Sequence, residues 1–224
     1  MWKTGPRTSP AGQAGQPPAA TLGRAEGIAA RPGETRVHVD DPAGRDTLSA
    51  AIASHLASFS PRPAPVTIVC VGSDRSTGDA LGPLVGTRLS RIQHPRLIVH
   101  GTLESPVHAA NLSERLAALR EAGQDKLVVA VDACLGRSEN VGTVCVKPGP
   151  LRPGTGVHKS LPPVGSFHIV GVVNVGGFME YFVLQNTRLN LVMRLADLIA
   201  HALIDSLAKH WRSPALQIAA TWES

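Results

Sequence analysis

The chain has 224 residues, of which 43% are hydrophobic and 17% are charged, with a formal net charge of +5. This composition excludes a chain that is disordered throughout, and the length suits one α/β domain with a full core. No apolar run approaches the roughly 20 residues that a membrane span needs. The lysines and arginines form no block and aromatic residues make up only 4%, so neither a membrane segment nor a nucleic-acid partner is expected.

The chain is predicted to divide into a tail, one domain and a short end. Residues 1–45 are rich in Pro, Gly, Ala and Thr without hydrophobic periodicity, which predicts a flexible amino-terminal tail. The tail lacks the apolar stretch of a secretory signal. Residues 46–212 are predicted to form a single domain, and residues 213–224 a flexible carboxyl-terminal end. The three cysteines lack CxxC spacing, which favours reduced thiols in the cytoplasm over a zinc site.

Strands and helices alternate along the predicted domain. Helices are predicted at 48–59 (with Asp46 or Thr47 as the cap), 79–89, 111–121 and 187–210, and strands at 66–71, 96–103, 126–131, 142–147 and 168–175. This alternation predicts a three-layer α/β/α sandwich with a mostly parallel central sheet. In the doubly wound order 2-1-3, a crevice opens between the carboxyl ends of the first and third strands.

Two aspartates are predicted to lie in this crevice. Asp79 follows the strand at 66–71 in a polar, glycine-bearing turn, and Asp132 directly follows the strand at 126–131. Neighbouring parallel strands end at one edge of a sheet, so we expect the carboxyl groups within about 10 Å of each other. Two such groups do not both ionise cheaply, so their pKa values split and supply an acid and a base. The simpler interpretation is that Asp79 caps a helix and Asp132 caps a turn.

Other chemistry is less well supported by the sequence. The turn at 72–79 (GSDRSTGD) ends in an aspartate where a P-loop has lysine, and GxGxxG is absent, so a nucleotide site is not expected. Cys134 could act as a nucleophile with His108 or His158, although its apolar neighbours favour a buried, inert thiol. Arg75 and Lys159 border the predicted crevice and could orient a substrate carbonyl or carboxylate.

Several motifs in order resemble a known family. They are TGDALGP (77–83), GTLESPVHAANL (101–112), VDACLG (131–136), PGTGVHK (153–159) and VNVGGFMEYFVLQNTRL (173–189). Together they resemble the YyaC family, which is grouped with the spore proteases and is related to the spore germination protease. More distantly, the motifs are similar to those of the hydrogenase maturation proteases.

The resemblance implies a phosphorylase/hydrolase-like α/β/α fold and peptide hydrolysis by Asp79 and Asp132. It places His158 and Lys159 in a loop that the germination protease shares. Arg75, which borders the predicted crevice, and His108, at the predicted start of a helix, are further candidates for a supporting role. No cofactor is implied for this mechanism. If the reaction depends on metal, as the maturation proteases suggest, Asp79, Asp132 and His108 are the implied ligands.

The resemblance further implies a peptidase in the cytoplasm of a sporulating cell or forespore. Its expected partner is a protein or peptide substrate, with small spore proteins as candidates, and a homo-oligomer is a further expectation. Two alternatives stay open. One is a non-catalytic sporulation protein that uses the same crevice for binding, and the other is a metal-binding endopeptidase of the maturation type.

Overall fold

The computed structural model describes residues 32–153 and 161–213. The strands are β1 (Thr35–His38), β2 (Val66–Cys70), β3 (Leu97–His100), β4 (Val128–Gly136), β5 (Thr143–Pro148) and β6 (Phe167–Val175). The helices are α1 (Gly44–Phe59), α2 (Leu81–Leu89), α3 (Leu112–Glu121), α4 (Glu180–Gln185) and α5 (Leu189–Trp211). Two short 3-10 turns, Gly78–Ala80 and Ser138–Asn140, complete the described elements.

The six strands form one mixed sheet in the order β1-β5-β6-β4-β2-β3. The central strands are parallel, because β2 pairs with β3 and β4, and β4 pairs with β6. Strand β5 is antiparallel to both β6 and β1. The order β3-β2-β4 is the predicted doubly wound arrangement of the first three core strands, so this part of the sequence prediction is confirmed.

Helices cover both faces of the sheet, which confirms the predicted α/β/α sandwich. Side chains of a strand alternate between faces, and β2 divides accordingly: Ile68 and Cys70 join one core cluster, and Val69 joins the other. The larger cluster also holds the buried faces of α1, α2 and α5. The smaller cluster holds the buried leucines of α3 and the residues that flank the loop after β5.

Helix α5 lies across the face of the sheet that carries the larger core cluster. Its buried side chains recur at helical spacing, as in Val192, Leu195 and Ile199, which is the pattern of an amphipathic helix on a core. Near the end of α5, the Trp211 indole donates a hydrogen bond of 2.7 Å to the carbonyl oxygen of Ala64, just before β2. Helix α5 therefore ends at the amino edge of the parallel strands. Within residues 32–153 and 161–213, no helix is long and apolar enough to cross a membrane.

Two predictions for the start of the domain differ from the structure. The predicted end of the tail at residue 45 is wrong, because β1 pairs with β5, Val37 is buried, and α1 already begins at Gly44. For the same reason the predicted cap at Asp46 or Thr47 is wrong, since both lie inside α1. The rest of the predicted tail (1–31) and of the predicted carboxyl-terminal end (214–224) lies outside the described residues.

Candidate active site

A tight turn between β2 and α2 carries Asp79. The Ser73 N–H donates to the Asp79 carbonyl oxygen at 3.1 Å, which closes the turn back on itself. Gly72 has φ +147°, and a Cβ there would lie 2.1 Å from that same oxygen. A Cβ at Gly82 would lie 2.0 Å from the Val71 carbonyl oxygen. Glycine is thus required at two places for the chain to leave β2 and enter α2 so abruptly.

Asp79 is not a helix cap. It lies within the 3-10 turn Gly78–Ala80, and no side chain forms a capping hydrogen bond at that turn or at the start of α2. The simpler interpretation of Asp79 as an N-cap is therefore wrong. The carboxyl group is half-buried, beside the buried hydroxyl of Ser76.

The sequence predicted that Asp132 follows the end of a strand. In the structure, Asp132 lies inside β4. Strand β4 pairs with β6 as far as Gly136, whereas its pairing with β2 stops at Val131 opposite Cys70. The Val71 N–H makes the last contact, to the Val131 carbonyl oxygen at 2.7 Å. Asp132 is therefore the first residue of β4 beyond the point where β2 turns away. This gap between the two strands is the predicted crevice.

The surroundings of both carboxyl groups favour the protonated form. The pKa of Asp132 is raised to about 8: burial is the main cause, a hydrogen bond from the Ala133 N–H partly opposes it, and the charge of Asp79 contributes a smaller rise. That hydrogen bond reaches the Asp132 Oδ1 atom at 2.8 Å. Burial also raises the pKa of Asp79, and the Ser76 hydroxyl lowers it in part. The two aspartates are thus close enough for the charge of one to affect the other.

The two carboxyl groups differ in the size of their pKa shift. Asp132 is the more strongly shifted group, so it keeps its proton near neutral pH and is able to donate it. Asp79 is then the group that ionises first and is able to accept a proton. Two interacting carboxyl groups that hold one proton between them form an acid–base pair suited to hydrolysis.

Two other predicted site residues, His108 and Arg75, lie at the carboxyl edge of the parallel strands, and the hydrogen bonds described below join them to residues other than the aspartates. Val107 bridges Val71 at the end of β2, so His108, the next residue, follows at the carboxyl edge. The His108 N–H donates to Asn111 Oδ1 at 2.8 Å, and its Nδ1 accepts from the Ala110 N–H at 3.3 Å. His108 therefore organises the start of α3. Arg75 is exposed in the turn after β2, where its backbone N–H donates to Ser73 Oγ at 3.2 Å.

The alternative metal site is not formed in the part of the chain that the structure describes. No group of three His, Cys, Asp or Glu side chains there comes together in a way that could hold a metal ion. Asp79, Asp132 and His108 consequently do not constitute the implied ligand set. The other two predicted residues, His158 and Lys159, lie outside the described residues.

Cys134 follows Asp132 on β4 and does not have the properties of a nucleophile. Burial raises the pKa of its thiol to about 11, and the charges of Cys145 and Asp132 contribute. The thiolate is the reactive form of cysteine, so this group stays protonated and unreactive near neutral pH. The structure favours the inert interpretation of Cys134.

Helix α4 was not predicted, yet it packs directly against the turn of Asp79. A Cβ at Gly78 would lie 2.7 Å from Leu184 Cδ2 and 3.1 Å from Thr187 Oγ1. Asn174, at the end of β6, donates from Nδ2 to the Val183 carbonyl oxygen at 3.2 Å and to Thr187 Oγ1 at 3.3 Å. The segment that holds Asp79 is thus supported from β6 through α4. Nothing in the periodicity of the sequence points to this contact, because α4 has no buried face.

Known proteins resemble most of this domain. The profile of a family described as "Protein of unknown function (DUF1256)" matches residues 36–202. The "Uncharacterized protein YyaC" of Bacillus subtilis (strain 168) is 53% identical over 152 residues, which cover 68% of this chain and 74% of that protein. A crystal structure of the NiFe hydrogenase maturation protease HycI from Thermococcus kodakarensis KOD1 matches with a TM-score of 0.37 and 22% identity, over 65% of this chain and 95% of that one. The resemblance to YyaC is confirmed, and the chain belongs to the DUF1256 family.

Proposed function

We propose that the protein hydrolyses peptide bonds in protein substrates with Asp79 and Asp132 as its acid–base pair. One observation carries this proposal: Asp79 and Asp132 both lie at the edge where β2 and β4 separate, and the pKa of Asp132 is raised to about 8 with a contribution from the charge of Asp79. Buried carboxyl groups are costly, and strongly shifted groups in a crevice are typical of catalytic sites. A structural role would be served more cheaply by an asparagine.

The mechanism follows from the two protonation states. The Asp79 carboxylate takes a proton from a water molecule, whose oxygen attacks the carbonyl carbon of the peptide bond. Asp132 donates its proton to the carbonyl oxygen, which gives a neutral tetrahedral intermediate. The C–N bond then breaks as Asp79 returns its proton to the leaving nitrogen, and a hydroxyl proton of the intermediate goes back to Asp132. Positioned acid–base catalysis of this kind contributes about 10²–10⁴-fold to a rate.

We place this activity in a sporulating or germinating cell, with small spore proteins as substrates. The support is the run of motifs shared with the YyaC family, above all TGDALGP at 77–83 and VDACLG at 131–136, which contain the two aspartates. In the proposed role, the protein acts in the cytoplasm or forespore and needs no cofactor.

The decisive experiment incubates small spore proteins with the wild type and with the Asp79→Asn and Asp132→Asn variants. Asparagine nearly preserves size while removing proton transfer, so we expect each variant to lose about 10²-fold or more of the cleavage rate. Cys134→Ser is the matched control on the same strand and should retain the rate. Fragments are quantified by mass spectrometry, and melting curves verify that each variant is folded.

Four outcomes distinguish the alternatives. Near-normal cleavage by both asparagine variants would refute the aspartate mechanism, and an inactive but folded Cys134→Ser would transfer the chemistry to the thiol. Cleavage that a chelator abolishes and added metal restores would favour the maturation-type endopeptidase. Binding of spore proteins without any cleavage would favour a non-catalytic role for the crevice.

A further inference from the structure

The exposed apolar surface of this protein is concentrated in one segment. Among the described residues, every large hydrophobic side chain that is exposed lies between Val175 and Met193. They include Phe178, which is 84% exposed, and Phe182, which is 54% exposed. Single exposed apolar residues are normal on a protein surface, whereas a contiguous group usually marks a binding site.

Part of this segment forms an open hollow of about 540 Å³, a size typical of sites that bind small groups. We call it the apolar hollow, and its lining comprises Asn174, Val175, Gly176, Phe178, Met179, Phe182, Val183 and Asn186. None of these described residues is charged, and the two asparagine side chains donate to backbone carbonyl oxygens of α4. The hollow therefore offers apolar contact and no ion pair.

The backbone that builds the hollow is strained. Met179, which precedes α4, has φ +52° and ψ +45°, a left-handed conformation that is unfavourable for a side chain of this kind. Such conformations cost on the order of 1–3 kcal/mol and are found most often at ligand sites and active sites. Relaxing Met179 would turn the exposed side chains of 178–179 in another direction. The strain is thus associated with the presentation of apolar groups to solvent.

The hollow is connected to the aspartates by direct packing, although neither aspartate lines it. Asn174 lines the hollow and also donates to Thr187 Oγ1. Thr187 and Leu184 in turn pack against Gly78, the neighbour of Asp79. On the other side, Gly176 packs against Leu135, three residues beyond Asp132 on β4. A polypeptide lying across the crevice between β2 and β4 would reach the hollow within a few residues.

We infer that the apolar hollow binds a large apolar or aromatic side chain of the polypeptide substrate, close to the bond that is cleaved. This inference rests on the proposed function and names its substrate class: chains that present an uncharged, bulky residue. A second copy of this protein fits the surface less well. Two copies joined through this face would bring their carboxyl edges together and cover both crevices.

The test measures binding without catalysis. Fluorescein-labelled dodecapeptide libraries, each with Phe, Leu, Ser or Asp fixed at the centre, are titrated against the Asp132→Asn protein by fluorescence anisotropy. Burial of one large apolar side chain corresponds to roughly a 10- to 100-fold gain in affinity. We therefore expect the Phe and Leu libraries to bind more tightly than the Ser and Asp libraries by that factor.

The matched variants locate this preference. Phe178→Ser and Phe182→Ser, each added to Asp132→Asn, should abolish it. Leu189→Ser should retain it, because Leu189 is 59% exposed but does not line the hollow. The inference is overturned if no library is preferred or if all three variants lose the preference equally. A dimer in sedimentation velocity that Phe178→Ser separates into monomers would overturn it as well.

The same libraries separate this inference from the proposed function. Cleavage of all libraries at equal rates would support the proposed hydrolysis and contradict the inference that the apolar hollow binds a substrate side chain. The opposite result is a preference for Phe and Leu that depends on the hollow, without cleavage of any library by the wild-type protein. It would contradict the proposed hydrolysis and support the inference that the hollow binds an apolar side chain.

Discussion

The properties of the site depend first on one carboxyl group. Asp132 occupies a strand position where its neighbours along β4, Val131 and Ala130, are fully buried. Placing a carboxylate there without a cation costs desolvation free energy, which the group avoids by keeping its proton. The raised pKa of Asp132 is therefore a consequence of its position in the sheet. The same position makes it a liability for stability at high pH.

We predict that Asp132→Asn stabilises the protein increasingly as the pH rises. The pKa of Asp132 is about 8 in the folded state and about 3.9 in an unfolded chain. Because the folded value is the higher one, the stability that Asp132 contributes is fully present below the unfolded pKa and is lost as the pH rises through about 8. The variant lacks this loss, so its advantage should reach the order of a few kcal/mol above that pH.

Urea unfolding at about pH 5 and about pH 9 measures this difference. Asp74→Asn is the control, since Asp74 is an exposed aspartate of the turn after β2. Its effect on the free energy of unfolding should be small at both values. An advantage of Asp132→Asn that is the same at both pH values would show that the carboxyl group is not buried as described.

At the scale of elements, the sequence predicts those strands and helices whose buried residues form an apolar run or recur at a regular spacing. The four core strands of the parallel part, β2, β3, β4 and β6, were predictable from apolar runs, and the order of the first three followed from the doubly wound rule. Strand β1 was not, because only one of its four residues, Val37, is buried. A half-buried strand is usually predicted from apolar residues at every second position. The sequence TRVH of β1 has only Val37, so it resembles part of a polar segment.

The candidate site was predictable to the same extent. Asp79 and Asp132 could be placed at one edge because each follows an apolar run. The contributions of Leu184 and Thr187 could not, because they depend on packing against Gly78, which is far away in the sequence. The exposed aromatic side chains of α4 also give no signal, since an apolar residue in a sequence is ordinarily expected to be buried.

Strand β1 gives a direct test at this scale. Val37→Ala removes buried apolar surface, so we expect it to lower the free energy of unfolding by roughly 1.5–3 kcal/mol. Arg36→Ala on the same strand is the matched control, because Arg36 is exposed and its ion pair with Glu34 is at the surface, where such pairs contribute at most about 1 kcal/mol. Equal effects of the two substitutions in chemical denaturation would mean that residues 35–38 do not pack on the sheet in solution.

At the scale of the whole molecule, α5 joins parts of the chain that are distant in sequence. It packs against α1 and α2, and Arg45 of α1 forms a bidentate ion pair with Asp205, at 2.6 and 2.9 Å. Its buried side chains belong to the same core cluster as those of β2, β4, β5 and β6. The larger face of the sandwich therefore depends on one helix for much of its cover.

We predict that Leu203→Ala destabilises the whole domain. Leu203 is fully buried in α5, and substitutions of this kind cost about 2–5 kcal/mol because they leave a cavity. Leu189→Ala makes the same chemical change at the exposed start of the helix, so it should cost much less. Thermal denaturation of both variants measures the difference. A small loss in Leu203→Ala would indicate that α5 is not an integral part of the core.

The direction of the strands has a practical consequence for experiments on tethered protein. Strand β1 is antiparallel to β5, which is antiparallel to β6, so Thr35 lies at the amino edge. Trp211, at the end of α5, bonds to Ala64 at that same edge. The described chain thus enters and leaves on the side opposite Asp79 and Asp132. A biotin or affinity handle attached at either position would anchor the molecule to a sensor surface with its crevice turned towards the solution.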